Sequence, residues 1–510
     1  MIWTKRSGSP DAFRRFGSAP SRFDRSWKSE RRRKRPGRTA GTDPTAHTQP
    51  PAGSDIGLPA DRRAWIWVVA GTLVAAAVCY AVATEALLLG SPRGRWHYRY
   101  VQPLSVKPFL LTLGVSLPVL ALLRVRVPGS SVGKWGLVLA WVALATAVQA
   151  ALRSLTLFSF ESIFASPGAN SFYTATLQQP LSTVLSSFVQ TREGLPLHAQ
   201  SNMPGKLVLT YALELFTVSP AVLPWIVVIL SNLGALLMYR FVGRLFGDHT
   251  TALYAAILYL FVPAKLFFFP LMNTITPLIA LGLACLIVQW VQTARLGWAV
   301  AVGAMVYATV FFEPLPLVLG LLFGALALRA VHRGELSWSQ LVSHAAVGLV
   351  AFVACAFVVQ QLTGFDLVAA FRAVRAHALE FNVIERRPYD LWVRANLVEF
   401  FFGIGACQTV LIGAALTLGL RGPGSLRDRL VRPVTLLTPA VLAAVAVIDL
   451  IGINRGEVIR LWIFLACFLQ IPAAWVCSQT GRPQAIALVV VTTLLLSALG
   501  TANIGFIVPG

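Results

Sequence analysis

Apolar runs of about twenty residues recur along this chain, and that is the length an α-helix needs to cross the hydrocarbon core of a bilayer. Short polar loops separate most of them. Lipid offers no water to free backbone N–H and C=O groups, so such a chain must form helices that close their own hydrogen bonds. A spanning β-barrel would show short alternating segments instead, and none is visible here. Composition agrees: 56% of the 510 residues are hydrophobic and 13% are charged, against roughly 25% charged in soluble proteins. The expectation is an all-α, polytopic helical membrane protein.

Thirteen candidate spans cover residues 65–89, 108–123, 135–152, 221–242, 251–269, 271–291, 298–312, 315–328, 341–362, 397–420, 434–451, 460–476 and 485–502. The run 207–217 is too short to cross and reads as re-entrant or interfacial. Residues 1–64 stand apart. They hold 15 Lys/Arg and 6 Asp/Glu, include the run Arg31 to Arg35, and carry too little apolar content to fold. They read as a disordered basic cytoplasmic tail that touches anionic headgroups, with residues 65–510 forming the transmembrane domain.

The net charge of +22 invites a nucleic-acid reading. Its placement argues against one, because the charge sits in the tail and at span ends, as the positive-inside rule requires. With the N-terminus in the cytoplasm, Arg240, Arg244, Arg295, Arg329, Arg333, Arg421, Arg427, Arg429, Arg432 and Arg482 all fall inside. Arg93, Arg95, Arg99 and Lys107 break the rule and fall outside, and the C-terminus ends there too. The expected location is the plasma membrane, as a multi-pass protein. All six cysteines lie in apolar runs and read as small buried hydrophobes, with no disulfide framework or metal motif.

In this topology three polar segments share the extracytoplasmic face: 153–206, 363–396 and 452–459. Leu177, Leu181, Val184 and Phe188, and likewise Leu367, Phe371, Val374, Ala378 and Phe381, follow helix spacing. Each set predicts an amphipathic helix lying flat on the membrane.

Ionisable groups near membrane depth are costly and need a reason. Glu313 follows Phe311-Phe312 and precedes Pro314-Leu315-Pro316; it must pair with a cation or face a wet cavity. Glu161 lies among Phe158, Phe160 and Phe164, where partial desolvation raises a carboxyl toward general-base range, unless the interface simply hydrates it. Arg455, Glu457 and Arg460 crowd one turn. The two arginines can present guanidinium forks to a phosphate at headgroup level, and Glu457 and Arg460 are spaced to pair. Lys206 and His198 flank the Pro204-Gly205 turn, which could aim Lys206 at an anion. Glu161, His198, Asn202, Lys206, Glu313, Arg455, Glu457 and Arg460 are all predicted on one side of the membrane. A carboxylate base with several cations suits an acceptor hydroxyl attacking a sugar carbon with phosphate as leaving group.

The order of parts resembles the GT-C superfamily of polytopic glycosyltransferases, in particular the actinobacterial-type integral-membrane members. A span feeds a long outer loop, and His198, Pro204 and Gly205 follow. A span then ends in Tyr239-Arg240-Phe241-Val242-Gly243-Arg244. Next come Phe269-Pro270-Leu271-Met272-Asn273 and, near the C-terminus, Arg455-Gly456-Glu457-Val458-Ile459-Arg460. The resemblance covers residues 135–474. It implies a sugar taken from a polyprenyl-phosphate donor and passed to a cell-envelope glycan, lipid or protein at the extracytoplasmic face. It makes Glu161 the match to the family's first-loop acid, which serves as base or metal contact; on the residue reading Glu313 is its catalytic helper, and Asn273 joins the substrate-binding set. Two departures stand out: Glu161 is alone and late in its loop, and Asn273 occupies a place where a second acid often stands. No cofactor is required and no divalent metal is assigned. The alternatives are a transporter or flippase of a lipid-linked substrate, which would show repeats and interrupted helices at mid-membrane, and a catalytically silent member.

Overall fold

The computed structural model describes residues 60–509. The basic tail expected over 1–64 lies almost entirely outside the described residues. The described residues are mainly helical, with a two-residue antiparallel pairing of Gly90–Ser91 with Trp96–His97 in the loop after the first helix and an isolated bridge between Tyr100 and Ile504.

Among the described residues, nine helices are long and apolar enough to cross a membrane, or ten if one bent pair counts as a span. The expected count of thirteen is therefore not reached. The candidate at 397–420 is in fact two helices, Tyr389–Ile404 and Ala406–Arg421, meeting at 97°. Gly405 joins them at φ +110°, a conformation open to glycine alone. Three further candidates are helices too short for the test: Lys107–Leu123, Leu296–Phe312 and Ile463–Gln479.

Local chemistry sets the helix ends. Asp248 caps His249–Leu260 by accepting from the Thr250 and Thr251 amides at 2.9 and 3.0 Å. Ser337 and Gln340 form a reciprocal capping box for Trp338–Thr363, and Asp366 caps Leu367–Ile384. Each supplies an acceptor to amides that the helix leaves unpaired.

His249–Phe268 is enclosed on nearly every side, whereas Trp338–Thr363 is almost wholly exposed. Val342, Leu349, Val350 and Phe357 on the latter face outward, as lipid-facing residues do. That helix is held by Leu296–Phe312, where Gly303 meets the Gly348 carbonyl too closely for any side chain. Small residues permit this approach between helices in lipid, where apolar burial gives no net drive.

The long polar segment before Lys206 is folded. It breaks into short helices, including Phe160–Ala165, Ser171–Gln178, Leu181–Ser186, Phe188–Thr191 and Leu197–Gln200. The single amphipathic helix expected through Leu177 and Phe188 is not formed. Gln179 is extended ahead of Pro180, as a residue preceding proline prefers, and Ser187 breaks the chain again. Val184 and Phe188 are buried while Leu177 is 65% exposed. The second pattern does form one helix, Leu367–Ile384. The run at 207–217 becomes the ten-residue helix Gly205–Glu214.

Candidate functional site

A cavity of about 510 Å³ lies where these parts meet. One wall is apolar, with Phe371, Val374, Ala378 and Phe381 from helix Leu367–Ile384 facing Leu315, Leu317 and Val318 and, from the end of helix Pro433–Ile451, Val447, Ile448 and Ile451. The other end is polar, with His198, Asn202, Asn273, Glu313, Arg375, Arg387, Arg455, Glu457 and Arg460.

Seven of the nine residues singled out from sequence thus border one space: His198, Asn202, Asn273, Glu313, Arg455, Glu457 and Arg460. Two do not. Glu161 is exposed on the short helix Phe160–Ala165 and is not part of the lining. Its neighbour Phe160 takes the buried position against Trp225, so the aromatics desolvate one another and not the carboxylate. Lys206 is fully buried behind the wall, so it does not reach out to a ligand.

Lys206 serves the protein's own carboxylate. Its Nζ lies 2.9 Å from Glu313 Oε2 and donates to Asn202 Oδ1 at 2.9 Å. Thr276 Oγ1 donates to the same Glu313 oxygen at 2.5 Å. Among the described residues no donor reaches Glu313 Oε1, which leaves that oxygen to the cavity. Backbone packing sets the pair's geometry. Gly205 lies against the Phe311 carbonyl and the Phe312 backbone with no room for a Cβ, so Lys206, second in the helix Gly205–Glu214, stands beside Glu313.

The opposite side of the polar end is the turn 452–460. Gly452 and Gly456 hold φ +65° and +86°, and a Cβ on Gly456 would run into the Trp392 ring. Glu457 itself sits at φ +60°, a strained conformation for a side-chain-bearing residue and costing about 1–3 kcal/mol. Asn396 holds the turn from below, accepting from the Gly456 amide and donating to the Asn454 carbonyl, both at 2.9 Å. Glu399 accepts from the Val458 amide at 3.1 Å.

Glu457 lies between two guanidiniums, with Arg460 Nη2 at 2.5 Å and Arg387 Nη2 at 3.4 Å. Burial acts to raise its pKa, but Arg460 and then Arg387 outweigh it and hold the carboxyl below its ordinary range. Arg460 Nη1 also donates to His198 Nε2 at 3.2 Å. Burial first, and the Arg460 charge second, push the His198 imidazole down to about 3. His198 is therefore neutral at physiological pH and an acceptor toward Arg460.

Arg387 and Arg375 escaped the sequence reading. Arg387 Nη1 donates to the Arg455 carbonyl at 2.5 Å, while Arg455 Nη1 donates to the Arg387 carbonyl at 2.6 Å. The Arg387 guanidinium lies 5.0–5.9 Å from the Phe381, Trp96 and Trp392 ring centres. Nothing local in the sequence marks this clasp. Arg375 was legible, since it follows Val374 and stands four residues after Phe371 on the face that lines the cavity. The forks of Arg387 and Arg460 are occupied by Glu457, His198 and the Arg455 carbonyl. Arg375 and Arg455 are the lining arginines with a terminal nitrogen uncommitted among the described residues; Arg387 and Arg460 have only a buried Nε without a partner. No three His, Cys, Asp or Glu side chains gather as a metal-holding group among the described residues.

The Glu457 arrangement has a pH signature. A carboxyl held below its ordinary 4.5 stabilises the fold fully above that value and loses the effect as pH falls through the lower folded one. The melting-temperature gap between wild type and Glu457→Gln should be complete above about pH 5 and close on further acidification. A gap unchanged by acid would mean the pairing contributes nothing.

No protein-family model matches the chain, and no curated protein matches it. A solved structure that it resembles is the Archaeoglobus fulgidus oligosaccharyltransferase, crystallised with zinc and sulfate, at 16% identity and a TM-score of 0.41. The match covers 71% of this chain and 53% of that one, so this chain spans about half of that protein's length. A superposition this loose assigns no family. Fold and site together define a multi-pass α-helical membrane protein with a half-apolar, half-cationic cavity.

Proposed function

We propose that this protein is a membrane glycosyltransferase that moves a sugar from a polyprenyl-phosphate donor to a cell-envelope acceptor at the extracytoplasmic face of the plasma membrane. In this reading the N-terminus is cytoplasmic and the C-terminus extracytoplasmic. The single supporting observation is the two-ended cavity, apolar along the helix Leu367–Ile384 and lined by four arginines against two carboxylates at its polar end. A polyprenyl chain fits the first end and a phosphate the second.

The acceptor hydroxyl attacks the anomeric carbon and gives its proton to Glu313 Oε1, while the bond from that carbon to the phosphate oxygen breaks. Arg455 and Arg375 take the charge that develops on the departing phosphate, as preorganised donors do in acyl and phosphoryl transfer. Lys206 and Thr276 hold Glu313 oriented. Glu161 has no part in the step, and no metal is assigned.

The test is transfer of labelled sugar from a polyprenyl-phosphate donor by the full chain in lipid nanodiscs. Arg455→Ala should raise the donor KM about tenfold, the effect of losing one charge-assisted contact, with a smaller change in kcat. Unchanged donor affinity argues against the phosphate clamp, and no transfer with any such donor argues against the function.

A second reading has one specific observation behind it. Both lining carboxylates are ion-paired, Glu313 with Lys206 and Glu457 with Arg387 and Arg460. A flippase, or a silent relative that only holds a lipid phosphate, needs no free base. Donor binding without turnover would favour it.

A further inference from the structure

We propose that the protein carries a second phosphate-binding site, outside the cavity, in an open basin of about 880 Å³ formed by the loop after the first helix and the end of helix Leu367–Ile384. The basin is lined by Arg93, Arg95 and Arg386, with Glu385 as its acid. None of the three arginine side chains pairs with a carboxylate among the described residues. Three guanidiniums brought together in this way repel one another until an anion joins them. Guanidinium forks match phosphate oxygens in geometry as well as charge.

The arginines are presented by a fixed frame. Gly94 abuts the buried Trp392 ring with no room for a Cβ, and Trp96 lies under the Arg387 guanidinium. Arg95 and Arg386 hold φ +62° and +50°, a conformation that side-chain-bearing residues adopt rarely. Consecutive residues therefore serve two spaces, with Arg386 facing the basin and Arg387, 6% exposed, facing the cavity.

The level of the basin points to its ligand. Beside Arg386, Val383 and Ile384 are 75% and 66% exposed, an arrangement that suits apolar tips in acyl chains below guanidiniums at the phosphates. The site also accounts for the loop whose Arg93 and Arg95 contradict the positive-inside rule. The ligand chemistry is a phosphate diester or monoester, supplied by an anionic phospholipid headgroup or by a soluble phosphate. The site stands whether or not the cavity transfers sugar.

The experiment is native mass spectrometry of the full chain released from micelles containing phosphatidylglycerol, with phosphatidylcholine as control. The triple variant R93Q/R95Q/R386Q should retain phosphatidylglycerol roughly tenfold less than wild type, on the scale of several lost basic contacts at headgroup level. It should match wild type for phosphatidylcholine and in melting temperature. Arg455→Ala should retain phosphatidylglycerol as wild type does, which separates this site from the cavity. Displacement of the lipid by millimolar inorganic phosphate supports the soluble form of the ligand, and retention supports the headgroup. Equal phosphatidylglycerol retention by wild type and the triple variant overturns the proposal, as does equal loss in Arg455→Ala.

Discussion

Replacing Lys206 by Met is expected to cost about 3–5 kcal/mol of stability, the usual effect of removing one partner from a buried ion pair. Lys206 is fully buried and Glu313 is 4% exposed, meeting the cavity only through Oε1, so the pair has little water to fall back on. The Met stem fills the volume between Phe172 and Phe312, whose ring centres each lie 5.9 Å from the ammonium. The deficit therefore comes from the stranded carboxylate and not from a cavity. It would be measured by denaturant or thermal unfolding in detergent. A loss of under about 1 kcal/mol, typical of exposed pairs, would show that cavity water solvates the carboxylate as well as Lys206 does.

The double variant Lys206→Met/Glu313→Gln should recover most of that stability and still lose sugar transfer by about 10²–10⁴-fold, the range attributed to a general base. The introduced amide keeps an oxygen for the Thr276 hydroxyl, which donates at 2.5 Å to the native carboxylate, and no buried charge remains unpaired. The pairing of results matters more than either alone. A double-mutant cycle separates the coupling of the two side chains from their separate effects. Recovered fold with lost transfer identifies the carboxylate as chemical, whereas recovered fold with undiminished transfer would falsify the assignment of Glu313 as the base.

The two site residues that the cavity leaves out share a cause. Glu161 attracted notice for its aromatic neighbours, but a six-residue helix exposes one face, and the aromatics took the other. Lys206 was read as a ligand contact because the Pro204-Gly205 turn could aim it at an anion, yet the tight fit of Gly205 on the Phe312 backbone turns the ammonium inward to Glu313. In both cases neighbours in sequence were not the neighbours that decided exposure.

Composition and spacing alone determined that the chain is helical and belongs in lipid, because backbone hydrogen bonding in hydrocarbon leaves a twenty-residue apolar run no other form. They also marked Glu313 and the crowded 455–460 turn, since charge near the membrane is too costly to be incidental. Only the tertiary structure decided which charges meet. Arg387 grips the 452–460 turn through a mutual pair of guanidinium-to-carbonyl hydrogen bonds across 68 residues of sequence, and His198 reaches Arg460 across 262. Local periodicity has no term for such distances: it records which face of a helix is apolar, and packing then chooses the partner.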